Sequence, residues 1–109
     1  MNVRLYVWQR ATAALMVPLV VVHVALIFYA MGRGLTAADI LGRTRGSVTW
    51  ACFYGLFVLT VSIHASIGTR NIVTEWSPMS ESKAGWLAAL FGVFLLILGL
   101  RAVAAVVLP

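Results

Sequence analysis

The sequence predicts an all-α membrane protein with three transmembrane helices, on three observations. Of its 109 residues, 62% are apolar and only 10% charged, where an ordinary soluble domain is about half apolar and about a quarter charged. The charges fall between the apolar runs and not within them: Arg10 and Arg33 bracket 22 uncharged residues, Arg45 and Arg70 bracket 24, and Lys83 and Arg101 bracket 17, after which the apolar run resumes from Ala102 to Leu108. A helix rising about 1.5 Å per residue needs roughly 20 apolar residues to cross the hydrocarbon. Three segments meet that requirement, and little chain is left over.

Taken in order, Met1 to Arg10 are short and amphipathic, with Tyr6 and Trp8 suited to the headgroup level. A first helix is expected from about 7 to 31, carried through Pro18, whose missing N–H membrane bundles tolerate. Gly32-Arg33-Gly34 ends it. Thr36-Ala37-Ala38-Asp39 resembles a capping box, predicting a short surface helix over about 37–41. A second span is expected over about 47–73, broken by Glu75-Trp76-Ser77-Pro78, and a third over about 85–107. With three spans, the N-terminus and the loop between the second and third share one side. That side carries Arg4, Arg10, Arg70 and Lys83, and the other carries Arg33, Arg43, Arg45 and Arg101. Four against four gives the positive-inside rule no direction.

Composition excludes several classes. A mean hydropathy of +1.01 leaves too little polar surface for a water-facing globule. The single cysteine, Cys52, excludes a disulfide framework, a zinc ribbon or a cysteine-ligated iron–sulfur cluster within the chain, and reads as a small interior apolar residue. The net charge of +5 is spread along the chain and forms no stripe for nucleic acid. The first apolar run is long and Tyr29-Ala30-Met31 is no small-x-small site, so no cleavable signal peptide is expected, and with the first span starting about ten residues in no transit peptide is expected either; a bacterial plasma membrane is the simplest address.

His64 is the informative residue. It lies six positions before Arg70, about 9 Å inside the membrane on the N-terminal side, and ionisable groups at such depth are functional hypotheses by default. Thr60, His64 and Gly68 recur every four residues on one face, and the two small residues leave room beside the imidazole for a flat macrocycle, or else for a helix contact with His64 hydrogen-bonded across it. His23 lies about 18 Å from the Arg10 end of the first helix, about 9 Å deeper than His64. The two are therefore not expected to hold one iron. His23 either serves a second haem or is a hydrogen-bonded interior histidine. Arg10 is read as a snorkelling anchor or as a donor to a quinone carbonyl or haem propionate, with Tyr6 and Thr12 supplying hydroxyls nearby. Asn71 and Glu75, seven and eleven residues after His64, return to its face if the helix continues, where they could position propionates or relay protons. Arg101 reads as a snorkelling residue.

Two patches resemble the membrane-anchor cytochrome b subunits of succinate dehydrogenase and fumarate reductase. Gln9-Arg10-Ala11-Thr12-Ala13 resembles that family's H-R-x-[ST]-G at the start of the first helix. His64-Ala65-Ser66-Ile67-Gly68-Thr69-Arg70-Asn71, closed by Glu75, resembles its H-x3-G-x-R-H-x3-D in the second. The size and three-span layout agree over the whole chain. Gln9 and Asn71 stand where the family has histidines, and Glu75 stands for its aspartate.

The resemblance implies part of a larger multi-subunit haem-binding helical bundle. His64 would be an axial ligand of haem b, Arg70 would face the propionates with Asn71 making a weaker contact, and His23 would suit a second haem. Arg10, with Tyr6, Thr12 and Trp8, would line the site of a ubiquinone or menaquinone, and Glu75 would relay protons. No flavin, nucleotide or iron–sulfur motif fits in the chain, so a flavoprotein subunit and an iron–sulfur subunit are implied as partners, docked on a cytoplasmic Arg10/Arg70 face. The second axial imidazole would come from another membrane subunit or another copy of the chain. The competing readings are a non-redox multi-span scaffold with both histidines structural, and a haem b anchor of another respiratory dehydrogenase. A small drug transporter is disfavoured because no span holds a carboxylate.

Overall fold

The computed structural model describes residues 2–109, and those residues form four helices: α1, Val3–Arg33; α2, Ala37–Thr44; α3, Val48–Trp76; and α4, Glu81–Val107. α1, α3 and α4 are long and apolar enough to cross a membrane, and no strand occurs among the described residues. The protein is an all-α chain of three candidate spans and one short connecting helix, 48 × 23 × 22 Å in extent.

The helices begin and end where side chains can serve the free backbone groups. Asn2 accepts from the Leu5 amide at 2.9 Å, which starts α1 four residues ahead of the expected position. Ser80 caps α4 by accepting from the Lys83 amide at 3.3 Å, and Glu81 lies in its first turn, so this span also starts four residues early. α3 runs three residues past its expected end, through Glu75, and stops at Trp76. In α2 the capping box is present, with the Thr36 hydroxyl accepting from the Asp39 amide at 3.1 Å and the Thr36 amide donating to the Asp39 carboxylate at 3.2 Å. This reciprocal pair carries α2 to Thr44, three residues beyond the expected end.

α3 is the central element, with α1 packed on one side and α4 on the other. The less exposed face of α1 carries Leu5, Gln9, Thr12, Met16, Leu19, His23, Leu26 and Ala30, spaced alternately by four and three. That is the 3.5-residue period of a left-handed crossing. α4 meets α3 through Gly85, Gly92 and Gly99, seven residues apart. A Cβ on Gly92 would stand 2.9 Å from the Ser66 Cβ, and one on Gly99 would run into the Val58 side chain. Ser66 donates to the Ala88 carbonyl at 2.8 Å across this seam. Small residues therefore set how closely α3 and α4 approach, as membrane helices commonly arrange.

α2 closes the far end. The Thr44 hydroxyl donates to the Val106 carbonyl at 2.6 Å, and the Gly46 amide donates to the Val107 carbonyl at 2.6 Å. Both acceptors belong to the last turn of α4, which has no intrahelical donors left for them. Gly46 reaches this position with φ of +75°, a backbone region that costs a side-chain-bearing residue more than glycine.

Candidate functional site

His64 meets α1. Its Nδ1 lies 3.2 Å from the hydroxyl oxygen of Thr12, a residue only 5% exposed. The Thr12 hydroxyl also lies 2.7 Å from the Trp8 carbonyl and 3.1 Å from the Gln9 carbonyl. A hydroxyl has one proton and two lone pairs. With that proton on the Trp8 carbonyl, the oxygen accepts from Nδ1 and the ring keeps Nε2 bare; with the proton turned to Nδ1 the roles reverse. Metal-binding histidines are commonly held in the first of these ways, the second nitrogen donating to an oxygen that fixes the ring.

The room expected beside the ring is filled differently. A Cβ on Gly68 would stand 3.3 Å from the Gln9 amide nitrogen, and Thr60 is 3% exposed. The small residues flanking His64 thus do not leave a slot inside this chain, because α1 packs at the glycine. None of the three main clefts among the described residues is lined by His64. The donor fits a haem ligand; the enclosure would have to be completed by a partner.

Sequence reasoning did not single out Gln9 as a site residue. Its Oε1 is sealed from solvent and has no partner, a state that costs about 1–3 kcal/mol in other proteins. The signal was present in its spacing, one turn before Thr12 on the same α1 seam.

His23 stands apart from His64. Its ring meets Tyr54 and Phe57 edge-on, with centroids 6.1 and 5.3 Å away. Those partners precede His64 on α3 by ten and seven residues, and Thr12 precedes His23 on α1 by eleven. The histidines therefore differ in height by about 11 to 16 Å, more than the expected ~9 Å, and one haem cannot span them. His23 Nδ1 is buried without a hydrogen-bond partner, so this ring lacks the second contact that His64 has. It borders a cleft of about 420 Å³ between the spans, walled by Tyr54, Phe57, Val61, Leu95 and Gly99.

Of the four residues expected around a quinone, Arg10 and Tyr6 are brought together and Thr12 is turned away. Arg10 sits over the ring of Tyr6 at 5.7 Å, and Tyr6 and Trp8 are about half exposed. Thr12 instead turns into the α1–α3 contact, because it stands two residues, or about 200°, around the helix from Arg10. Its role is with His64. Arg70 lies beside α4, where a Cβ on Gly85 would be 3.7 Å from its Nε. Asn71 and Glu75 do follow His64 on unbroken helix, with Glu75 exposed at the end. Cys52 is exposed on α3, contrary to the interior position expected, and Arg101 is exposed on α4.

Among the described residues no group of three or more His, Cys, Asp or Glu side chains is placed to hold a metal ion. The chain matches no family model, and no curated protein or solved structure is significantly similar to it.

Proposed function

We propose that this chain is a haem b-binding membrane anchor of a succinate:quinone oxidoreductase, on the inner membrane of a bacterium with its N-terminus and α3–α4 loop in the cytoplasm. The observation that carries the reading is the Thr12–His64 contact. It orients the ring from behind through Nδ1 and is compatible with Nε2 as the ligating nitrogen, within an apolar span. The motif around His64 and the three-span layout support the same assignment.

In this reading His64 would hold the haem iron through Nε2, and a histidine of a second membrane chain or another copy would supply the other ligand. When bound, the haem supplies a one-electron redox centre within the membrane. Dicarboxylate oxidation belongs to a flavoprotein partner, where succinate gives up two electrons and two protons. An iron–sulfur partner passes the electrons on, and a quinone accepts two electrons with two protons to become a quinol. Arg10, held by Tyr6 near the membrane surface, donates to a quinone carbonyl as negative charge develops there. Glu75, at the exposed end of the helix that carries His64, brings protons from water. Of the two histidines, His64 is the better supported ligand, since His23 lacks an oxygen behind its Nδ1.

A second reading, a non-redox scaffold with both histidines structural, draws support from the packing of Gln9 onto Gly68 and from the absence of His64 from the three main clefts. Purification of the intact membrane complex with quantification of haem and flavin distinguishes them. The anchor reading expects both, with succinate-dependent quinone reduction. The scaffold reading expects neither.

A further inference from the structure

The junction of α1, α2 and α3 carries a second site, separate from the proposed haem ligand. Arg33, in the last turn of α1, sits over the Tyr29 ring at 5.5 Å, and Arg43 of α2 sits over the same ring at 5.9 Å. One aromatic ring thus gathers two guanidinium groups at the edge of a span. Neither is ion-paired among the described residues. Asp39, the acid of this loop, is committed to its capping box with Thr36, and Arg43 reaches only the Gly34 carbonyl, at 3.4 Å.

Directly inward from these arginines opens a cleft of about 260 Å³, bordered by Leu26, Ile27, Ala30, Ile40, Trp50 and Tyr54, with Tyr29 and Arg43 on its rim. Its lining is mostly apolar and runs from the surface inward to His23, with Thr44 as a further polar residue on its wall. A partner must therefore present an anion at the membrane boundary and carry an apolar chain inward from it. A soluble acidic peptide matches the first requirement and fails the second. A zwitterionic lipid matches the second and brings its own cation against two arginines.

We propose that this junction is a binding site for an anionic phospholipid, its phosphate between Arg33 and Arg43 beside Tyr29 and one acyl chain in the cleft below. Bidentate recognition of phosphate suits the guanidinium fork. Tyr29 holds the two like charges near one another through its ring face, and the lipid phosphate offsets their repulsion.

The test is native mass spectrometry of the purified full chain in detergent, titrated separately with dioleoyl phosphatidylglycerol, dioleoyl phosphatidylcholine and glycerol phosphate. Phosphatidylglycerol is expected to bind at least about five-fold more tightly than phosphatidylcholine, about the effect of one basic residue at a membrane surface. Arg43→Gln should bring the two lipids to parity, while Arg101→Gln leaves the preference intact. Arg33→Gln makes the same test should Arg43→Gln fail to fold. Ala30→Trp, which fills the cleft, should weaken phosphatidylglycerol with both arginines present. Equal binding of the two lipids by the wild type, or an unchanged preference in Arg43→Gln and Arg33→Gln, would overturn the proposal. Competition by glycerol phosphate as strong as by the intact lipid would also overturn it, by making the site one for a free anion.

Discussion

Thr12 and His64, 52 residues apart in sequence, meet at 3.2 Å across the α1–α3 seam, and that contact turns Nδ1 of the imidazole toward α1. With the Thr12 proton on the Trp8 carbonyl, His64 donates from Nδ1 and Nε2 is the Lewis base; this is the arrangement that haem ligation requires. An ionisable ring in an apolar span is costly, and half of its hydrogen-bonding need is answered by a residue that is itself buried.

Replacing Thr12 by valine keeps the shape and removes the acceptor. Haem affinity of the purified complex should fall about 10- to 100-fold, the usual cost of deleting an outer partner of a ligating histidine, and Thr12→Ser should restore most of it. Haem retained per protein through serial dilution measures this. A Thr12→Val variant that loses thermal stability but keeps haem affinity would make the contact purely structural.

Arg10→Ala should lower succinate-dependent quinone reduction, chiefly through a raised KM for quinone, and leave the haem content unchanged. Steady-state assays with varied quinone, run beside a reduced spectrum, separate the two effects. Equal KM and kcat in the variant would remove Arg10 from the quinone site.

The glycine seam predicts opposite outcomes at two positions. In Gly92→Ala the new methyl meets the Ser66 Cβ at 2.9 Å, and because that atom is fixed to the α3 backbone the helices must part. The expected loss is about 1–3 kcal/mol, as for other overpacked contacts. A Cβ at Gly55 meets nothing within 4 Å, so Gly55→Ala should be neutral or slightly stabilising. Unfolding in a graded mixture of mild and denaturing detergent reads both.

At the membrane edge, the Thr36 hydroxyl and then the Thr36 amide, both donating to the Asp39 carboxylate, hold its pKa below the ordinary range, with Arg43 adding a smaller pull the same way. A carboxylate with a lowered folded-state pKa contributes stability that is complete above its unfolded value, about 4, and lost as pH falls through the folded one. The protection factors of the α2 amides, taken against the intrinsic exchange rate at each pH, should therefore be flat from neutral pH down to about 5 and fall in stronger acid. Asp39→Asn should exchange faster than wild type at neutral pH and converge with it in acid. Parallel profiles at all pH values would contradict this role.

The three spans were legible because the charges bracket them, and the capping box of α2 could be read from Thr36 and Asp39 alone. The site was legible only in part. His64 stands out as an imidazole in an apolar run, and the depth of His23 could be counted from Arg10. Which side chains meet could not be counted the same way. In a soluble helix the apolar stripe marks the buried face, but in a span the lipid-facing residues are just as apolar. The seam of α1 is instead marked by Gln9, Thr12 and His23, polar residues on a 3.5-residue period. Grouping Thr12 with Arg10 by nearness in sequence ignored the turn of the helix between them. The room inferred from Thr60 and Gly68 is a property of α3 alone, and α1 fills it.

The most direct test of the central claim is the dithionite-reduced absorbance spectrum of the purified membrane complex, with haem quantified, for wild type and His64→Ala. Wild type should show the sharp α-band of a six-coordinate b-type haem, and the variant should lose that band while its chain remains in the membrane. A variant with the same band and the same haem content would contradict the assignment of His64 as the ligand.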